Sequence, residues 1–94
     1  MARMRRVRVV VEGVVQGVGF RWSTARQAER RDVVGWVRNA GAHRVEAELE
    51  GGSDAVDAVV EWMRQGPTGS RVDDIAIEEI APTGATAFEL RPSV

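Results

Sequence analysis

Apolar and charged residues alternate most regularly between residues 45 and 50, where Val45, Ala47 and Leu49 interleave with Glu46, Glu48 and Glu50. A period of two predicts a strand with one dry face and one wet face. Residues 7–12 show the same period, because Val7, Val9 and Val11 alternate with Arg8 and Val10. These two segments are therefore predicted to be half-buried strands.

A three-to-four-residue period predicts two helices. Trp22, Ala25 and Ala28 recur at three-residue spacing within residues 22–31, among charged residues, as is typical of an amphipathic helix. In the second segment, Ser53 is a suitable N-cap, and an apolar stripe follows at Val56, Val59, Val60 and Met63. Gly66-Pro67 is expected to end this helix.

Three further strands complete the pattern, at Val33–Arg38, Val72–Ile80 and a short Ala87–Arg91. The order β-α-β-β-α-β predicts an α+β, ferredoxin-like sandwich, with two helices on one face of an antiparallel sheet of four to five strands. We expect residues 7–94 to form one domain and residues 1–6, rich in arginine, to be a flexible, solvated N-terminal tail.

The segment between the first strand and the first helix is rich in glycine. Gly13, Gly17 and Gly19 are followed by Arg21, and glycine lets several backbone N–H groups point at one anion at the start of a helix. The spacing is not that of a Walker loop or of a dinucleotide-binding loop. From spacing alone, an anion site and a purely structural tight turn are both open.

Composition removes several classes of function. The chain has no cysteine and a single histidine, His43, so a disulfide scaffold, a thiol nucleophile, a zinc site and a Ser-His-Asp triad are not expected. The net charge of −1 does not favour nucleic acid as a partner. No apolar run is long enough for a signal peptide or a membrane span, and a cytoplasmic protein is expected.

Several motifs together resemble those of the acylphosphatases, small metal-free hydrolases of carboxyl-phosphate mixed anhydrides. The residues Val15-Gln16-Gly17-Val18-Gly19-Phe20-Arg21 are followed by Gly35-Trp36-Val37-Arg38-Asn39 and then by Val45-Glu46. Glu50-Gly51, Gly66-Pro67 and Arg71-Val72 extend the similarity over nearly the whole chain. Chance does not explain so many matching motifs in this order.

The resemblance implies a function and a site. It implies hydrolysis of a small acyl phosphate without a cofactor or metal, with inorganic phosphate or another anion able to bind in the loop. The backbone amides of Val15, Gln16, Gly17, Val18, Gly19 and Phe20 would bind the phosphoryl group together with the side chain of Arg21. Asn39 would orient the attacking water. A monomer that binds neither nucleic acid nor a membrane is expected.

Two segments depart from the family pattern. Arg31-Asp32-Val33 replaces Leu-Gly-Leu at the end of the first helix, so Asp32 would have to adopt a left-handed conformation. Ala42-His43 replaces Asp-Gly in the hairpin after Asn39, which shifts the role of turn glycine to Gly41. An altered turn is expected to move Asn39 slightly.

Other features of the sequence bear on alternative functions. The three tryptophans, Trp22, Trp36 and Trp62, are expected to be core or partial-core residues rather than stacking platforms. An RNA-recognition domain stacks bases on aromatic residues of its central strands, but residues 7–12 and 45–50 contain no aromatic residue. The carboxylates of Glu46, Glu48 and Glu50 are also expected to repel a phosphate backbone. A catalytically silent binding module with the acylphosphatase fold is the remaining alternative.

Overall fold

The computed structural model describes residues 4–94 and contains two helices packed on one five-stranded sheet. The elements are β1 Met4–Val14, α1 Phe20–Arg30, β2 Val34–Ala40, β3 Arg44–Gly52, α2 Ser53–Gln65, β4 Arg71–Ile80 and β5 Phe88–Leu90. The predicted ferredoxin-like α+β fold and the predicted order of elements are confirmed.

The strands lie in the order β4-β1-β3-β2-β5. All neighbouring pairs are antiparallel except β2 and β5, which are parallel, so the sheet is mixed rather than wholly antiparallel as predicted. The exception follows from the connection after β4. Ile80 pairs with Arg6 near the start of β1, and Phe88 pairs with Gly35 near the start of β2, so residues 81–87 cross one end of the sheet and β5 runs back beside β2.

The first strand begins earlier than predicted. Residues 4–6 belong to β1, so the expected tail at residues 1–6 is wrong for them, and residues 1–3 lie outside the described residues. Arg5 donates hydrogen bonds to Asp57 (2.6 Å) and to Glu79, while Arg6 is 4% exposed. The basic residues here are held by carboxylates on other elements, which is why this segment is ordered.

The core lies between the sheet and the helices. Its members are apolar residues that alternate along β1, β2 and β3 and a stripe on each helix; they include Val7, Val9, Val11, Val37, Val45, Ala47, Leu49, Phe20, Ala28, Val56, Val59, Val60 and Met63. This confirms the predicted dry faces of residues 7–12 and 45–50. It also confirms the predicted apolar stripe of α2.

The opposite face of the sheet carries a network of ion pairs. Arg6 contacts Glu48 (2.8 Å) and Glu50 (2.9 Å), and Glu46 contacts Arg38 (2.9 Å). Cross-strand register brings these residues together, since Arg6 lies opposite Glu50 in the β1–β3 pair. The carboxylates expected to repel an anionic backbone are thus paired with arginines and do not form an uncompensated negative surface, while β1 and β3 carry no aromatic residue.

Glu50 is the most buried acid of this network, at 2% exposure. Its carboxylate accepts hydrogen bonds from Thr83 N–H (2.8 Å), Gly84 N–H (2.9 Å) and Arg6 (2.9 Å). Burial opposes ionisation, but these donors outweigh it and hold the pKa of Glu50 below its usual value. Glu50 therefore anchors the crossing segment 81–87 to the centre of the sheet.

The residues at the end of α1 and at the start of α2 determine where these helices stop and begin. Asp32 has φ 56°, with Val33 N–H bonded to Ala28 O (2.9 Å) and Asp32 N–H to Glu29 O (3.3 Å). This is a Schellman motif, so the predicted left-handed Asp32 is confirmed. Ser53 is the first residue of α2 rather than its cap, because Gly52 occupies that position and no side chain caps the helix.

Candidate functional site

The loop between β1 and α1 forms one wall of an open pocket of about 340 Å³. Gly17 and Gly19 have φ angles of 76° and 75°, a region that other residues enter only at a cost. Apart from the glycine itself and its two chain neighbours, no heavy atom lies within 4 Å of where a Cβ would stand at Gly17 or Gly19. The glycines therefore bend the loop and leave its backbone open to a ligand.

The start of α1 faces the same pocket. Gly19 occupies the N-cap position, no side chain caps the helix, and no acidic residue lies in its first turn. Phe20, Arg21 and Trp22, the first three helical residues, all line the pocket. Unpaired N–H groups and the positive end of the helix dipole thus meet there, which favours an anion.

Arg21 is held in place by the last part of the chain. One of its terminal nitrogens, Nη1, donates a hydrogen bond to the carbonyl oxygen of Arg91 (3.0 Å). Residues after β5 continue beside β2, since Arg91 N–H bonds to Val37 O (2.9 Å) and Val94 N–H to Asn39 O (3.0 Å). The remaining N–H groups of the guanidinium can serve an anion in the pocket.

Asn39 lies near the end of β2 and lines the pocket together with residues of the loop. Because β1 and β2 both pair antiparallel with β3, they run in the same direction and end at the same edge of the sheet. This is the placement that the predicted topology implied. The backbone carbonyl of Asn39 accepts a hydrogen bond from Val94 N–H (3.0 Å), so the strand is held there through the main chain.

Gln16 connects the two halves of the site. Its side-chain amide donates hydrogen bonds to Gly41 O (2.9 Å) and Arg44 O (3.0 Å), on either side of the hairpin turn that follows Asn39. Gly41 has φ 60°, so the predicted transfer of the turn-glycine role to Gly41 is confirmed. The altered hairpin is thereby tied directly to the loop.

The pocket gathers nearly all of the predicted residues. Its walls are Val15, Gln16, Gly17, Gly19, Phe20, Arg21, Trp22 and Asn39. Val18 is the exception, since its side chain packs against the core. Gly13, part of the glycine pattern, lies instead at a bulge in β1 beside β4.

Sequence reasoning missed two members of the site. Trp22, expected in the core or partly in it, is 58% exposed, because the buried face of α1 is formed by Phe20, Thr24, Ala25 and Ala28. The carbonyl of Arg91 is a backbone group far away in the chain, and no side-chain pattern could have indicated it. By contrast, Trp36 is 6% exposed and Trp62 packs against the core, as predicted.

The chemical character of the pocket is cationic and polar. None of its lining residues carries a carboxylate, imidazole or thiol. Across residues 4–94, no group of three or more His, Cys, Asp or Glu side chains is placed to hold a metal ion. Neither helix in the same range has the length and apolar character needed to cross a bilayer.

Comparison with known proteins agrees with this geometry. The acylphosphatase family model matches residues 7–90. An acylphosphatase of Anaeromyxobacter dehalogenans is 50% identical over 92 residues, covering 97% of this chain and 99% of its own. One of Rubrobacter xylanophilus is 52% identical, covering 93% of this chain and 80% of its own. A solved acylphosphatase of Coxiella burnetii superposes with a TM-score of 0.90 at 34% identity, covering 94% and 93% of the two chains. By sequence and by structure, the chain belongs to the acylphosphatase family.

Proposed function

We propose that this protein hydrolyses small acyl phosphates to a carboxylate and inorganic phosphate. The observation that carries the proposal is the convergence of the glycine loop, the uncapped start of α1, Arg21 and Asn39 on one pocket. Membership of the acylphosphatase family supports it.

The phosphoryl group would lie in the loop, with its oxygens bound by the backbone amides of residues 15–20 and by Arg21. In an acyl phosphate the leaving group is a carboxylate, so the reaction needs little acid–base assistance. It needs stabilisation of charge on the phosphoryl oxygens and a water held in line with the breaking bond. The cationic pocket suits these requirements.

The Asn39 amide would orient that water through its carbonyl oxygen, which accepts a water O–H. The water oxygen forms a bond to phosphorus, and the bond from phosphorus to the bridging oxygen breaks. Its electron pair leaves with the carboxylate, and the proton released by the water goes to the phosphate product. Asn39 and the loop line the same pocket, which supports this role.

Hydrolysis of benzoyl phosphate by the purified protein, with EDTA present, tests the proposal. Arg21→Ala should lower kcat about 10²- to 10³-fold, the usual effect of losing one preorganised donor, and should weaken inhibition by inorganic phosphate. Arg30→Ala, an exposed arginine at the far end of the same helix, is the matched control and should behave like the parent.

Asn39→Ala separates the positioning of the attacking water from the binding of the phosphoryl group. We expect a large fall in kcat with inhibition by inorganic phosphate largely kept. Turnover at the parent rate would refute the role in water positioning. A parent protein that binds phosphate but does not hydrolyse the substrate would be a silent binding module, and activity lost on adding EDTA would reject the metal-free mechanism.

The proposal also includes a monomer acting in the cytoplasm. The proposed mechanism uses the loop, Arg21 and Asn39 of one chain and so does not require a second copy. Light scattering of the active protein in solution tests it, and a stable dimer would contradict it.

A further inference from the structure

Trp22 is the exposed aromatic side chain of the pocket. Of the eight lining residues, Val15 and Phe20 are each 1% exposed and belong to the core, whereas Trp22 is 58% exposed. Gly17 and Gly19 have no side chain, and the Gln16 amide is bonded to the hairpin. Trp22 is therefore the one wall of this pocket that offers a large apolar surface to a ligand.

The position of Trp22 suits the acyl group of the substrate. Trp22 and Arg21 lie in the first turn of α1, and both line the pocket, so Trp22 shares the pocket with the guanidinium proposed to hold the phosphoryl group. In an acyl phosphate, the acyl carbon is separated from phosphorus by a single bridging oxygen. When the phosphoryl group is bound in the loop, the acyl group must therefore lie close by in the same pocket. Apart from Trp22, the exposed residues that line this pocket are polar or are glycines.

The indole is also held by a neighbour. The Arg26 guanidinium carbon lies 5.1 Å from the centre of the Trp22 ring, at the i+4 position on the same helix, where side chains meet. A cation over an aromatic face is attractive, and it limits rotation of the ring. An exposed ring with restricted motion is a better stacking surface than a freely rotating one.

We propose that Trp22 forms an acyl-group subsite that favours flat aromatic acyl phosphates over small aliphatic ones. The proposal rests on the function proposed above and names its substrate class. The phosphoryl group is bound by the loop and Arg21, and the acyl ring stacks against the indole at the mouth of the pocket.

The test compares kcat/KM for benzoyl phosphate and acetyl phosphate in three variants. Both substrates carry the same phosphoryl group, so a change at the phosphoryl site alters both kcat/KM values equally and leaves their ratio unchanged. The two substrates also differ in intrinsic reactivity, but this difference is the same in the parent and in each variant, so only the change in the ratio is interpreted. Trp22→Ala should lower the ratio about 2- to 12-fold, the range typical of one aromatic pair. Trp22→Phe should restore at least half of the lost preference. Ile77→Ala truncates an exposed apolar residue of β4 outside the pocket and should leave the ratio unchanged.

A second measurement does not depend on turnover. Phenacylphosphonate and acetonylphosphonate carry a methylene in place of the bridging oxygen, so they bind without being hydrolysed. Calorimetry should show tighter binding of the aromatic compound to the parent protein and loss of that preference in Trp22→Ala. If the parent protein bound the aromatic phosphonate more tightly but hydrolysed neither acyl phosphate, the proposed function would be overturned and the subsite would be supported. An unchanged ratio in both measurements, with hydrolysis intact, would overturn the subsite alone.

Discussion

Replacing Glu50 by Gln should destabilise this protein far more than any exchange at its surface. In the parent, Oε1 accepts bonds from Arg6 and from Thr83 N–H, and Oε2 accepts a bond from Gly84 N–H at 2.9 Å. A glutamine keeps one oxygen and replaces the other by an NH₂ group. One backbone N–H then faces the NH₂ group, which is itself a donor. Of the two carboxylates that pair with Arg6, only Glu48 still carries a negative charge.

The expected loss follows from these contacts. An unsatisfied buried donor costs about 1–3 kcal/mol, and a hydrogen bond to a charged group is worth about 1 kcal/mol more than one to a neutral group. Because Gly84 is itself exposed and water can reach it, we take the lower part of the range, about 2–3 kcal/mol. At about 0.2 kcal/mol/K for a chain of this length, Tm should fall by about 10–15 °C.

Glu46→Gln is the matched control. Its arginine partners Arg8 and Arg38 have side chains that are 34% and 27% exposed, so solvent screens the pairs and the loss should stay within about 1 kcal/mol. Urea titration followed by tryptophan fluorescence measures both variants, and a circular dichroism melt gives Tm. If Glu50→Gln lost no more stability than Glu46→Gln, the anchoring role of Glu50 would be refuted.

The effect should also depend on pH. The pKa of Glu50 is lower in the folded protein than in the unfolded chain. The ionised carboxylate therefore makes its full contribution to the free energy of unfolding when the pH is above the ordinary carboxyl pKa of about 4.3. It is lost as the pH falls through the folded value. The stability difference between the parent and Glu50→Gln should therefore be constant at neutral pH and shrink in acid.

Two further substitutions test the connection within the site and the end of α1. Gln16→Ala removes the bonds to Gly41 O and Arg44 O and should lower kcat for benzoyl phosphate by up to about 10²-fold, as expected for a small displacement of a positioning group. Its circular dichroism spectrum should not change, and an unaltered kcat would show that the hairpin is held without Gln16. Asp32→Gly relieves a left-handed aspartate at φ 56° and should raise the unfolding free energy by about 0.5–1 kcal/mol. A loss of stability in the urea titration would contradict that account.

The periodic segments of the sequence predicted most of the fold. Strand β3 was clear because its alternation is regular, and Arg21 and Asn39 could be placed together because parallel strands end at the same edge. The sequence did not reveal which arginine meets which carboxylate. A period of two tells which face a residue is on, whereas the pairing of Arg6 with Glu50 depends on register.

Boundaries and exposure were harder to predict for physical reasons. The start of α1 lies two residues earlier than expected, because Gly19 turns the chain directly into the helix. Phe20 is thereby the first buried residue of the helix, and of the predicted stripe Ala25 and Ala28 are buried whereas Trp22 is exposed. A contact made by a backbone carbonyl, such as that of Arg91 with Arg21, does not depend on the side chain at that position, so the sequence pattern could not indicate it.

The bond between Arg21 and the Arg91 carbonyl has a consequence for the order of events during folding. It joins residues separated by 70 positions, and contacts of such long range form slowly because a large loop must close first. The helix and the glycine loop can form while Arg21 is still unanchored. In refolding, the helical circular dichroism signal should therefore recover before enzymatic activity, and the interval between the two would measure the docking of the last residues beside β2.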